Sequence, residues 1–165
     1  MLLYKTDTIV RPSIVGKVDA DSEIWNYVNQ LPWEADHFKS TNDRKVCHIG
    51  KKITYNRDGN IYQEGYQDDR ISAFFSLLNP AWGVGLAMKY EKGGRISLHR
   101  DSTGYGRIAH SVSSCEFYFE LDEKKYRIPA NTVISFPTKI PHSAYHLGDC
   151  SRLVLCCWEF TPKLR

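Results

Sequence analysis

The apolar residues of this chain alternate between helical and strand-like spacing in its first half and settle into strand-like spacing in its second. Over residues 1–18, Ile9-Val10 and Ile14-Val15 flank Pro12 and read as a β-prone lead-in. Ile24, Val28 and Leu31 then recur at i, i+4 and i+7. The N-cap candidates Asp19, Asp21 and Ser22 precede them and Pro32 follows, which predicts a short amphipathic helix. Residues 33–45 are polar and read as loop. Val46-Cys47-His48-Ile49 and Ile53-Thr54-Tyr55 are short β-runs. The turn-prone Asn56-Arg57-Asp58-Gly59-Asn60 leads on to Ile61-Tyr62, so a hairpin or covering flap is expected. Asp68-Asp69 can cap a second helix with Ile71, Phe74, Phe75 and Leu78 on one side, and Asn79-Pro80 ends it.

Beyond Trp82 the pattern is β throughout. The candidate strands are Val84–Tyr90, Arg95–His99, Ile108–Leu121, Lys125–Ile128, Thr132–Phe136 and Arg152–Phe160, separated by turn-prone groups such as Lys92-Gly93-Gly94 and Thr103-Gly104-Tyr105-Gly106. Short strands punctuated this often predict a sandwich or jelly roll. The expected fold is mainly β with flanking helices packed on one sheet. A single domain over 1–165 is expected, with helices and flap in 1–82 and the β core in 83–161.

Composition narrows this only slightly. An apolar share of 42% and a charged share of 25% suit a globular chain. The net charge of +3 permits a polyanionic partner without requiring one. Cys47, Cys115, Cys150, Cys156 and Cys157 are odd in number and form no CxxC. They read as reduced thiols of a cytoplasmic protein rather than a disulfide framework. The N-terminal stretch carries no signal-peptide pattern, and neither a membrane span nor an obligate protein partner is evident.

The candidate chemistry sits in His99-Arg100-Asp101. On an extended strand residues i and i+2 face the same way, so His99 and Asp101 can share a cation and leave its other positions open. Two histidines and one carboxylate form the facial triad of non-haem Fe(II) oxygenases. His142 and His146 are both available as the third ligand, and their equal strand parity does not choose between them. A zinc site on Cys156-Cys157 fails because adjacent strand residues point apart. Arg152 opens an otherwise apolar strand and needs a partner there; a carboxylate clasped inside a barrel mouth would provide one. With His142 ten residues earlier, metal and anchor would lie on adjacent strands. Arg44, Lys45, Lys51, Lys52 and Arg57 make 44–57 basic, which suits either a solvated flap or a nucleic-acid edge.

This constellation resembles the 2-oxoglutarate/Fe(II) dioxygenase superfamily. Tyr90-x-x-Gly93-x-x-x-Ser97-Leu98-His99-x-Asp101 is similar to the AlkB branch, as are Cys47-His48-Ile49-Gly50, Tyr55–Tyr62, Ile108–Ser113 and Cys150-Ser151-Arg152. The resemblance covers about residues 46–160 and implies a double-stranded β-helix, also called cupin-like. It implies Fe(II) on His99, Asp101 and His142. It further implies 2-oxoglutarate held by Arg152 and the Tyr90 hydroxyl, with O2 as the other co-substrate, and a substrate site near Tyr55, Arg57, Tyr62 and Trp158. The implied reaction is hydroxylation of a C–H bond, with demethylation where the product is an unstable N-hydroxymethyl group, and the implied partner is DNA or RNA. Three departures stand out. Met88 replaces the usual Asn, Trp158 replaces a second Arg, and Ser102-Thr103-Gly104 replaces an acidic pair. The lone Arg152 is also similar to the prolyl-hydroxylase-like branch, whose substrates are peptides or small molecules. A non-catalytic cupin-like binding module is the remaining alternative.

Overall fold

Period-two alternation sorts the strand residues onto two faces, and each face builds its own core. The computed structural model describes residues 10–19, 23–36, 38, 41, 44–54 and 57–162. Its elements are β1 (Ser13–Lys17), α1 (Glu23–Asn29), β2 (Glu34–Ala35), β3 (Lys45–Thr54), β4 (Ile61–Glu64) and α2 (Asp69–Leu78), then β5 (Val84–Tyr90), β6 (Arg95–His99), β7 (Gly104–Ser113), β8 (Phe117–Leu121), β9 (Lys124–Ile128), β10 (Thr132–Pro137), β11 (His142–His146) and β12 (Arg152–Thr161).

Among the described residues the strands form two antiparallel sheets. The larger runs β1-β10-β7-β12-β5-β3-β2, with β4 hairpinned onto β3; the smaller runs β6-β11-β8-β9. Together they make the double-stranded β-helix, or jelly roll. Val46, Leu86, Met88, Tyr90, Val154, Cys156 and Trp158 face inward from the large sheet and meet Phe117, Phe119 and Leu121 of the small one. Their neighbours Cys47, Ile49, Ala87, Leu153, Leu155 and Cys157 face outward and are covered by Val28 and Leu31 from the α1 side and by Ile71 and Phe75 of α2. Both helices thus pack on the large sheet, and Cys156 and Cys157 lie on opposite faces, as adjacent strand residues must. Burial alone pushes the Cys157 thiol up to about 12, which keeps it a neutral core residue.

α2 forms where its capping chemistry directs. The Asp68 carboxylate accepts from the Ile71 N–H at 2.8 Å, and the Asn79 N–H closes the last turn on the Phe75 carbonyl. The helix can approach the sheet because β5 carries Gly85 beneath the Phe75 ring, where a Cβ would overlap ring atoms.

Four local expectations change. Residues 33–45 contain a short strand, β2, paired with β3. The β-runs expected from Val46 and from Ile53 are joined, as far as Thr54, in one strand that turns at Gly50, whose φ is +73°. Of the expected turn at 103–106, Gly104, Tyr105 and Gly106 already belong to β7. The expected run Ile108–Leu121 is two strands, because the Ser113 hydroxyl bonds the backbone of Cys115 and turns the chain from one sheet to the other. β11, a run of His, Ser, Ala and Tyr with little β-propensity, is a strand through its pairing with β6 and β8. Among the described residues no helix is long and apolar enough to cross a membrane.

Gly85→Ala is expected to destabilise the protein by about 1–3 kcal/mol, because α2 must lift off the sheet. Urea unfolding checks this, and Phe75→Leu in the same background should recover part of the loss.

Candidate metal centre

The centre depends on a register. β6 and β11 are antiparallel with His99 directly opposite His142, which brings their rings to 4.4 Å between centroids. Asp101 follows β6 by two residues, and its N–H donates to the Thr138 carbonyl at 3.0 Å. Thr138 is fully buried; its hydroxyl donates to the Gly106 carbonyl at 2.6 Å. Lys139 adds bonds from Nζ to the carbonyls of Asp101, Ser102 and Tyr105. The loop between β6 and β7 is therefore tied to the loop between β10 and β11, and Asp101 is swung back over the two imidazoles.

The atoms converge. Asp101 Oδ1 lies 3.3 Å from His99 Nε2 and 3.2 Å from His142 Nε2, and one donor atom from each residue lies within 4.8 Å of the others. His99 Nδ1 is 2.8 Å from the Ser97 carbonyl, and His142 Nδ1 is 2.8 Å from the Ile140 carbonyl. A carbonyl only accepts, so each Nδ1 carries the hydrogen and donates it. In the neutral rings both Nε2 lone pairs then face a carboxylate oxygen, an arrangement that only protons or a cation can hold together. The other carboxylate oxygen, Oδ2, accepts from the Trp158 indole N–H at 3.0 Å, which fixes the rotation that aims Oδ1 at the histidines. Burial alone would raise the Asp101 pKa. With the rings protonated, the hydrogen bonds and charge of His142 and His99 outweigh it and hold the carboxyl well below its ordinary value. This donor set, with one open side, fits a divalent first-row cation.

From the triad a cavity of about 150 Å³ runs inward between apolar walls that include Leu86, Phe119, Phe136 and Val154. Arg152 lies on its wall, 2% exposed. Its guanidinium stands 4.4 Å from the Tyr90 ring centroid and 4.7 Å from that of Phe117, and Nη1 donates to Ser113 Oγ at 3.4 Å. Its Nε is buried without a hydrogen-bond partner, and among the described residues no carboxylate comes within ion-pair distance. A buried cation without a carboxylate is costly until an anion arrives. Burial lowers the Arg152 pKa, against the opposing influence of Tyr90 and Cys115.

The structure thus brings His99, Asp101, His142, Tyr90, Arg152 and Trp158 to one cavity. It separates His142 from His146: the His146 Nε2 is turned to the Cys150 carbonyl, away from the triad. His142 and Arg152 are not on adjacent strands as expected. β11 belongs to the small sheet and β12 to the large one, so the two residues lie in opposite walls of the cavity. Tyr62 packs edge-to-face on Phe160 at 5.1 Å and lies outside the cavity lining. Arg57 is exposed in the hairpin turn, and Tyr55 lies outside the described residues. The basic stretch is largely neutralised: Lys51 pairs with Glu64, and Lys52 pairs with Glu34 at 3.2 Å.

Two contributors escaped the sequence reading. Arg44 lies inside the cavity, 9% exposed, with Nη1 3.1 Å from the Tyr90 hydroxyl. Its even parity with Val46 was the available signal. Thr138 carried none, since its role exists only once β7 and β10 are neighbours.

Neither a family model nor a curated protein sequence matches this chain. Solved structures do resemble it. A 2OG-Fe(II) oxygenase family oxidoreductase from Burkholderia pseudomallei superposes with a TM-score of 0.62 at 14% identity, covering 87% of this chain and 81% of that one. OsALKBH1 superposes with a TM-score of 0.60 at 16% identity, covering 92% of this chain and 100% of that one. At such identities the likeness is one of fold.

Thr138→Val is expected to lower stability by about 1–3 kcal/mol through loss of the buried bond to the Gly106 carbonyl, with Thr138→Ser retaining most of it. Denaturant unfolding of the metal-free protein reads this out.

Proposed function

We propose that this chain is an Fe(II)- and 2-oxoglutarate-dependent dioxygenase that hydroxylates a C–H bond. The observation that carries the reading is the aim of the triad: both Nδ1 atoms are committed to backbone carbonyls, so both Nε2 lone pairs and Asp101 Oδ1 are left for one cation. Bound there, iron(II) supplies oxidative chemistry with O2, and 2-oxoglutarate is converted to succinate and CO2.

The chain's own residues do the positioning. His99, Asp101 and His142 would hold the metal through both Nε2 atoms and Oδ1. Trp158 stops Asp101 from rotating. Arg152 binds the distal carboxylate of the ketoacid, an anion for which its uncompensated guanidinium is suited. The Tyr90 hydroxyl accepts from Arg44 and donates to the Met88 thioether at 3.8 Å, a weak acceptor that the co-substrate would replace. The aromatic and aliphatic walls exclude water, which strengthens each of these polar contacts.

For the substrate we favour a base in DNA or RNA, hydroxylated or oxidatively demethylated with loss of formaldehyde. The likeness in fold to OsALKBH1 and the AlkB-like pattern of residues 46–62 support this. The second reading, a prolyl-hydroxylase-like enzyme acting on a peptide or small molecule, is supported by the pairing of Lys51 and Lys52 with acids and by the single Arg of β12. A non-catalytic binding module on the same fold would keep the cavity without turnover.

Anaerobic Fe(II) and 2-oxoglutarate should together give a visible metal-to-ligand charge-transfer band that Asp101→Ala lacks. Absence of the band in the unaltered protein overturns both enzyme readings. His142→Ala should lose iron while His146→Ala keeps it. Succinate release should rise with methylated oligonucleotides; a rise with peptides alone selects the second reading. Trp158→Phe is expected to weaken Fe(II) binding roughly 10- to 100-fold without unfolding the protein, as measured by competition with a chromophoric chelator.

A further inference from the structure

Arg44 begins what reads in sequence as a solvent-facing basic stretch, yet its side chain lies in the wall of the cavity. Its Nε donates to Asp36 Oδ2 at 2.5 Å, and its Nη1 reaches the Tyr90 hydroxyl at 3.1 Å and Met88 Sδ at 3.2 Å. The strand register explains the placement. β3 pairs with β5 so that Val46 is opposite Met88, and β5 pairs with β12 so that Tyr90 is opposite Arg152. Arg44 precedes Val46 by two residues and shares its face. Arg44, Tyr90 and Arg152 therefore form one inward-facing row across three neighbouring strands. Trp158, which holds Asp101, marks the other end of β12.

Both guanidiniums address the same ring. The Arg44 Cζ stands 5.8 Å from the Tyr90 centroid and the Arg152 Cζ stands 4.4 Å from it. Two like charges in one apolar wall repel, and Arg44 adds to the lowering of the Arg152 pKa that burial begins. Charge balance fits a dicarboxylate in this cavity, although Arg44 is itself already paired with Asp36 and Arg152 is the guanidinium without a carboxylate. Apart from the exposed Arg100, the ionised cavity residues are Arg44 and Arg152 against Asp36 and Asp101. That set is neutral, and a divalent cation with a dicarboxylate keeps it neutral. A divalent cation with a monocarboxylate leaves one positive charge buried.

We infer that Arg44 is a second guanidinium of the distal-carboxylate clasp, holding the far carboxylate of the co-substrate together with Arg152 across the Tyr90 ring. This rests on the 2-oxoglutarate reading above. It gives physical sense to two of the chain's departures from the pattern it resembles. The Arg44 Nη1 lies on Met88, supplying an N–H donor where the side chain at position 88 has only a thioether. Trp158 is committed to Asp101 and supplies no cation. The clasp is thus assembled from β12 and from the residue entering β3, rather than from β12 alone.

The test is calorimetric titration of 2-oxoglutarate into the Mn(II)-loaded full chain, with 2-oxopentanoate, which lacks the distal carboxylate, as the comparison ligand. Arg44→Met should weaken 2-oxoglutarate binding roughly 10- to 100-fold, the loss of one charge-assisted contact. Arg44→Lys should recover part of it, and 2-oxopentanoate should bind every variant as weakly as it binds the unaltered protein. Because Arg44→Met strands Asp36, the double variant Asp36→Asn/Arg44→Met is measured beside it, with thermal unfolding to show that both are folded. If the double variant binds 2-oxoglutarate as the unaltered protein does, or if both ligands weaken by the same factor, Arg44 is a structural residue and the inference is overturned. If the unaltered Mn(II) protein fails to bind 2-oxoglutarate while Arg44→Met is folded, the co-substrate reading itself falls and takes the inference with it.

Discussion

The antiparallel pairing of His99 with His142 is the constraint on which the rest depends. It places two imidazoles side by side at the mouth of the β-helix, and each ring is then locked by its own backbone through an Nδ1–H bond to the carbonyl two residues earlier. Nothing further is needed to aim two lone pairs at one point. Asp101 completes the set because the β10–β11 loop, through the Thr138 carbonyl and Lys139, holds its backbone against them. A one-residue slip of β11 would turn His142 out of the cavity and leave the carboxylate facing one histidine.

The large sheet supplies the complementary half of the site. Its inward rows grade from Trp158 beside the triad, through the apolar Val154 and Met88, to Tyr90 flanked by Arg152 and Arg44. The triad stands at one end of the cavity and the two guanidiniums at the other, with an apolar middle between them. Burial gives these charges their force. In water each would be screened, whereas between the sheets an unmatched guanidinium is a standing cost that a bound anion removes.

The outer face does different work. Helix α2 lies close against the sheet over Gly85, with Phe75 filling the space a side chain would take. This layer backs β5 and β12, which carry Tyr90 and Arg152, and β3, which Arg44 immediately precedes. The β3–β4 hairpin is anchored at the other end of β12: Tyr62 packs on Phe160, and the Asn60 side chain donates to the Thr103 carbonyl. Tyr62 is thereby taken up in packing, and the salt bridges of Lys51 and Lys52 leave the hairpin less cationic than its composition implies.

The sequence by itself determined both helices, most of the strands, the inward and outward phases of β5 and β12, and the pairing of His99 with Asp101. Each of these is a local property: a repeat, a cap or a two-residue spacing. It also offered Arg152 as an anomaly, a charge opening an apolar strand. What only the tertiary structure decided is whatever depends on which strands become neighbours. His142 rather than His146 faces the triad because β11 pairs with β6 in one register. His142 and Arg152 sit in opposite sheets because the chain crosses between them after Leu147, which no residue preference announces. Arg44 is a cavity residue because β3 lies beside β5, and in the linear chain only its parity with Val46 separates it from the basic residues that follow it. Sequence patterns carry the face on which a residue lies, but the choice of neighbouring strand is a long-range contact whose energy appears only when the sheets close.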